Sequence, residues 1–315
     1  MARTDDALAR LAARQDGVVT TGQALSLGFS GSWLDRRVRA GHWQRLHHGV
    51  LATFSGPVGW QASARAALLY AGAGAALSHR SAAYRHEMLD RPPRPIELSI
   101  PRSRAVRPSA GVRIYRREPM PPAFGRLRTV ELVHTIVDLI AGADSTDDVV
   151  GLLTDASRAG APPAQVREAL LARPTVRGRA LALELCGLAE AGVESPLELR
   201  YHRDVERRHR LPTADLQVRD VVDGQWVRAD TRYRDFGVVV ELDGALWHAA
   251  ARRDADVWRD NAVLIARGDL TLRYRWRHVA VAPCRTAAQV ATALAARGWA
   301  GTPHPCGAGC GVGRG

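Results

Sequence analysis

Apolar residues along the first fifty positions recur at helical and then at alternating spacing. Leu8, Leu11 and Ala12 fall on one helical face within Asp6–Ala13, and Asp16-Gly17 breaks the pattern. Thr21 is placed to cap a short helix running to Leu27 and closed by Gly28. Ser30 is placed to cap a second one, Gly31 to Arg39, closed by Gly41. The run Trp43 to Leu51 partly alternates and carries Gly49, which predicts a small β-hairpin. Three helices and a hairpin in this order are the layout of a winged helix-turn-helix.

Further on, the periodicity predicts helices from Trp60 to about Leu89, interrupted at Gly72 and Gly74, and a stop at Arg91-Pro92-Pro93-Arg94-Pro95. Short strands follow at Ile96–Ile100 and Val112–Tyr115, then helices from about Thr129 to Gly192. This middle third presents no candidate chemistry. Near Glu194 the pattern changes again. Ser195, Pro196 and Glu198 have the spacing of a helix start. Strands are expected at Leu216–Arg219, Val227–Tyr233, Val238–Asp243 and Leu270–Tyr274, with helices at Asp254–Arg267 and Ala287–Arg297. The expected fold class is therefore α/β multidomain. Residues 1–56 form a winged helix-turn-helix, and 57–192 a mainly helical connecting region with short strands. Residues 193–300 form an α/β domain with a mixed central sheet, and 301–315 a disordered tail rich in Gly and Pro.

Charge sharpens this picture. The 315 residues carry 44 basic and 32 acidic side chains, a formal +12, and every basic one is arginine. An arginine-only composition is first of all a mark of a GC-rich coding sequence, but a basic surface also suits a polyanion, most commonly nucleic acid. The chain opens on a charged amphipathic pattern, and no window reaches the apolar length of a membrane helix. Its four cysteines do not have the look of a disulfide framework. A cytoplasmic protein with no membrane partner is expected. His304, Cys306 and Cys310 suggest zinc only weakly: the tail offers no fourth ligand at good spacing, so zinc is not expected.

Two constellations carry candidate chemistry. On the second helix of the helix-turn-helix, Trp33, Leu34 and Val38 face inward, while Ser32, Arg36, Arg37 and Arg39 lie outward. Arginines there can contact phosphates or read guanine, with Arg45, His47 and His48 of the hairpin beside the groove. A solvated, merely charged helix face is the bland alternative. In the last domain, Glu198, Asp230, Glu241 and Asp243 lie near element ends, and Glu241 and Asp243 share one strand face. Two such carboxylates ending an apolar strand call for a cation between them. Mg²⁺, bound by Asp230, Glu241 and Asp243, is the candidate, with His248 as general base and Gln217, Arg259, Asp260 and Asn261 about the cleft. The competing reading pairs each acid with a neighbouring arginine.

The run from Val18-Val19-Thr20-Thr21-Gly22-Gln23-Ala24 through Arg37 to Leu51, with Leu77-Ser78-His79-Arg80-Ser81-Ala82-Ala83 after it, resembles the N-terminal part of AbiEi-type antitoxins of type IV toxin–antitoxin systems. That resemblance covers about the first 90 residues and implies operator DNA as ligand, autorepression and a cognate toxin as partner. Repressors of this kind commonly act as homodimers on paired half-sites. Residues 194–282 resemble the Vsr-like branch of the PD-(D/E)xK, restriction-endonuclease-like fold through Glu198, Asp230, Glu241-Leu242-Asp243, His248 and Arg259-Asp260-Asn261. The resemblance implies Mg²⁺-dependent cleavage of DNA with Glu198, Asp230 and Glu241 in the acidic roles. Asp243 stands where that motif has its lysine, and His248 is the residue that would replace it. The two implied functions are a DNA endonuclease targeted by the winged helix, and an antitoxin-like repressor whose second domain does not cut.

Overall fold

The structure is a computed structural model that describes residues 2–191, 196–222, 225–243 and 268–313. The chain folds as two compact units, one of Met1–Leu139 with Ala159–Ala161, the other of Ile140–Arg158 with Pro162–Gly315. The first unit holds the winged helix with most of the chain as far as Leu139, and the second holds the helices from Thr146 onward.

The first unit opens with helix α1 (Ala2–Arg14), strand β1 (Val18–Thr20), and helices α2 (Thr21–Ser26) and α3 (Gly31–Arg39). The cap of α2 is Thr20, one residue earlier than the spacing suggested. Its hydroxyl accepts the Gln23 N–H while the Gln23 side chain accepts the Thr20 N–H, a reciprocal capping box. Ser30 caps α3 as expected, accepting from the Trp33 N–H. Strands β2 (Gln44–His47) and β3 (Val50–Ala52) make the hairpin, and β1 joins it on the other side of β3, all antiparallel. Leu8, Ala12, Val19, Ala24, Leu34 and Leu51 form the core of this part. A second cluster binds it to the rest of the unit: Val18 and Val50 of the sheet pack with Ala62 and Ala66 of helix α4 (Trp60–Ala71).

The remainder of the unit contains strand β4 (Ala76–Leu77), helix α5 (His79–Arg85) and strands β5 (Ile96–Pro101), β6 (Val112–Arg117), β7 (Ala123–Phe124) and β8 (Thr129–Val130). They form a mixed five-stranded sheet in the order β6-β5-β4-β8-β7. The middle region, expected as mainly helical with short strands, thus has those strands gathered into one sheet under α4. Helix α6 (Leu132–Ala141) follows.

In the second unit, helices α7 (Thr146–Arg158), α8 (Pro163–Leu171) and α9 (Arg179–Glu190) precede the short helix α10 (Pro196–Arg200). A π-helical segment, Tyr201–Arg207, continues α10. The expected Ser195 cap lies outside the described residues. Strands β9 (Asp215–Val222), β10 (Gln225–Tyr233), β11 (Val238–Asp243) and β12 (Leu270–Arg275) form the mixed sheet expected here, ordered β12-β11-β10-β9. The first three strands run antiparallel in turn and β12 lies parallel to β11. Helix α11 (Pro283–Ala296) closes the unit. The expected helix at 254–267 lies outside the described residues. The tail after Trp299, expected to be disordered, is tied back: the His304 N–H donates to the His209 carbonyl at 2.7 Å, and Cys310 and Val312 are buried. No helix among the described residues is long and apolar enough to cross a membrane.

Candidate nucleic-acid interface

Helix α3 is divided cleanly between two faces. Leu34 is buried, and Trp33 and Val38 pack against the same core. Trp33 meets Phe29 at 4.5 Å and Trp43 edge-on at 5.5 Å between ring centroids. This aromatic group, together with the Ser30 cap, fixes the helix's rotation. Ser32, Arg36, Arg37 and Arg39 are then all exposed, as the sequence pattern predicts. Arg37 lies over the Trp33 ring at 4.8 Å. The Arg39 guanidinium reaches back to the Asp35 carbonyl at 3.4 Å. Arg45 of the hairpin pairs with Asp35 at 3.1 Å, both side chains well exposed, so this ion pair is weakly held and open to exchange for a phosphate.

The two hairpin histidines differ. His48 is exposed. His47, expected among the DNA contacts, is half-buried instead: Nδ1 lies 2.8 Å from the Ser109 hydroxyl and the ring packs on Tyr70 at 5.1 Å. Burial lowers its pKa, which favours the neutral imidazole at neutral pH. His47 borders a cavity of about 320 Å³ shared with Leu46, Trp60 and Arg94.

The carboxylates of the second unit are held by other partners. Asp230 Oδ2 accepts the Leu242 N–H at 2.9 Å. Glu241 Oε2 is 2.7 Å from Arg273 Nε, its parallel-strand neighbour. Glu198 is buried on α10. Gln217 lies on β9 and Asp243 ends β11, but their side chains, like His248, Arg259, Asp260 and Asn261 altogether, fall outside the described residues. Among the described residues, Glu198, Asp230 and Glu241 do not make a group whose oxygens could share one ion. Arg273 supplies charge beside Glu241, while the side chain of Asp243, the third expected Mg²⁺ ligand, lies outside the described residues.

Three polar groups escaped the sequence reading. In the first unit, buried Glu97 accepts from the Arg80 N–H at 2.8 Å and the Tyr115 hydroxyl at 3.0 Å. Nearby, buried Asp138 pairs with Arg117 at 2.7 Å and faces His79, whose ring stacks on Tyr115. In the second unit, buried Glu206 lies 3.1 Å from His202 Nδ1 and accepts the Tyr233 hydroxyl at 3.3 Å. Tyr233 in turn meets the Tyr201 hydroxyl at 3.0 Å, and burial pushes both phenols well up. The third group gathers His209, Cys284, Cys306 and Cys310, with ligand atoms all within 4.8 Å of one another. Cys306 and Cys310 thus lie beside His209 and Cys284, which are distant in sequence.

The geometry defines a winged helix-turn-helix with an exposed arginine row. Residues 6–53 match the protein family described as transcriptional regulator, AbiEi antitoxin. Among solved structures, the chain is similar to one titled "Crystal structure of RV2827C protein from Mycobacterium tuberculosis", at 19% identity and a TM-score of 0.43, over 57% of this chain and 76% of that one. No curated protein matches the chain.

Proposed function

We propose that the chain is a DNA-binding transcriptional regulator of the AbiEi antitoxin type, which reads an operator through α3 and steadies itself on the backbone through the hairpin. One observation carries this reading: α3 buries Leu34, packs the partly buried Trp33 against the same core and leaves Ser32, Arg36, Arg37 and Arg39 exposed on the helix that a helix-turn-helix lays in the major groove. The match over residues 6–53 supports it. Arg45 and His48 are the hairpin contacts, and His47 is not one. A cognate toxin as protein partner and a homodimer on paired half-sites belong to the same proposal.

A second reading, a Mg²⁺-dependent endonuclease, draws on the mixed sheet with Asp230 and Glu241 on neighbouring strands. The Glu241–Arg273 pair and the bond from Leu242 to Asp230 weigh against it, and the repressor is the reading adopted. The test is a gel-shift with the DNA upstream of the protein's own gene. Wild type is expected to form a discrete complex that survives excess unrelated DNA, and the Arg36→Ala/Arg39→Ala variant to lose it. Equal binding by both proteins would refute the assignment to α3.

A further inference from the structure

We propose that His209, Cys284, Cys306 and Cys310 bind one Zn²⁺ ion as a closed tetrahedral Cys₃His site that fastens the C-terminal tail to the second unit. The four residues come from three places: the turn after Tyr201–Arg207, the first turn of α11, and the tail. Their ligand atoms nonetheless converge within 4.8 Å. Cys284 Sγ and Cys306 Sγ lie 3.4 Å apart, and Cys310 Sγ lies 3.6 Å from His209 Nε2. With Zn–S near 2.3 Å, tetrahedral coordination places two sulfurs about 3.8 Å apart, so the group needs only a small adjustment to close on an ion.

Several features point to zinc in particular. His209 Nδ1 lies 2.9 Å from the Val205 carbonyl, a bond that puts the proton on Nδ1 and aims the Nε2 lone pair at the cysteines. Thiolates and imidazole are soft and borderline donors, which select zinc over magnesium or calcium. An iron–sulfur cluster would interpose its own atoms and hold the ligands further apart. Four protein ligands leave no position for water or substrate, the pattern of a structural rather than a catalytic zinc.

The tail itself supplies an independent reason. From Trp299 to Gly313 it contains Gly301, Gly307, Gly309, Gly311 and Gly313, and Cys310 and Val312 are its buried apolar groups among the described residues. Ordering so much glycine is costly in backbone entropy, and so little apolar burial cannot offset it. The Cys306-x₃-Cys310 turn, closed by the Cys310 N–H on the Gly307 carbonyl at 3.0 Å, brings both sulfurs to one side, and Cys306 at the surface gives the ion a way in.

The test is metal analysis of the full-length protein purified under reductant, with cobalt substitution as a second readout. One zinc per chain is expected in wild type and in Cys186→Ser, whose cysteine lies outside the group. The Cys306→Ser/Cys310→Ser variant should hold well under a tenth of that. Cobalt-loaded wild type should show the intense visible bands and sulfur-to-metal charge transfer of a tetrahedral thiolate site, a signature that does not depend on any variant folding. A reduced wild type that neither contains zinc nor takes up cobalt would overturn the proposal. So would a metal-free chain carrying a Cys284–Cys306 disulfide, or loss of zinc from Cys186→Ser.

Discussion

The guanidinium of Arg37 lies 4.8 Å over the ring of Trp33, so one residue of the exposed row rests on the aromatic group that anchors α3. The two side chains differ in what they do for the fold. Trp33 packs on Phe29 and Trp43, whereas Arg37 is at the surface. Trp33→Ala should destabilise the protein by about 3 kcal/mol, as large-to-small core changes do. Arg37→Ala should cost under about 1 kcal/mol, the scale of an exposed cation–π contact. Urea denaturation of the two variants measures the contrast, and equal losses would mean that the helix is not anchored by this ring.

Asp138 is almost fully buried against Arg117, where an isolated charge is costly. Asp138→Ala, which strands the guanidinium, should destabilise by about 3–5 kcal/mol. Replacing both partners with apolar residues of similar size should cost much less than the sum of the single changes. A double-mutant cycle in denaturant gives the answer. Strict additivity would show that the two charges do not depend on each other.

What the sequence allowed, and what it hid, follows from the range of each interaction. Ser30 and the Gly49 turn act within a few residues, and both were legible. Thr20 and Thr21 are adjacent and equally suited to a cap, so only the reciprocal bond with Gln23 distinguishes them. The strands β4, β7 and β8 have two residues each, too few to show alternation, so the five-stranded sheet was invisible. The strand face that Glu241 shares with Asp243 is legible in the sequence and points to a cation there. The partner of Glu241, Arg273, became a neighbour only through a parallel pairing across an intervening segment. The Cys306-x₃-Cys310 spacing was visible, but its partners stand far upstream: His209 is separated from Cys310 by 101 positions.

His47 provides a pH dependence with a definite sign. Its folded pKa is lowered, so the unfolded chain binds a proton that the folded chain resists. Stability contributed by this residue is therefore present above the ordinary histidine pKa, near 6.5, and is lost as pH falls below it. Wild type should lose stability relative to His47→Gln between pH 7.5 and pH 5. Parallel pH curves for the two proteins would contradict the buried, neutral imidazole.

The pairing of Glu241 with Arg273 predicts an absence of cleavage. Supercoiled plasmid incubated with the full chain and Mg²⁺ should stay supercoiled, and Glu241→Gln should behave identically. Mg²⁺-dependent nicking by wild type that disappears in Glu241→Gln would restore the endonuclease reading.

The most direct measurement of the central claim is the salt dependence of operator binding, followed by fluorescence anisotropy in wild type and in Arg36→Ala/Arg39→Ala. Each phosphate contact contributes about 0.9 to the slope of log affinity against log salt. The variant's slope should therefore be shallower than the wild-type slope by up to about 1.8, the full difference applying if both arginines bind phosphate. Binding that ignores salt, or equal affinity and equal slope for the two proteins, would contradict the account of α3 as the element that meets DNA.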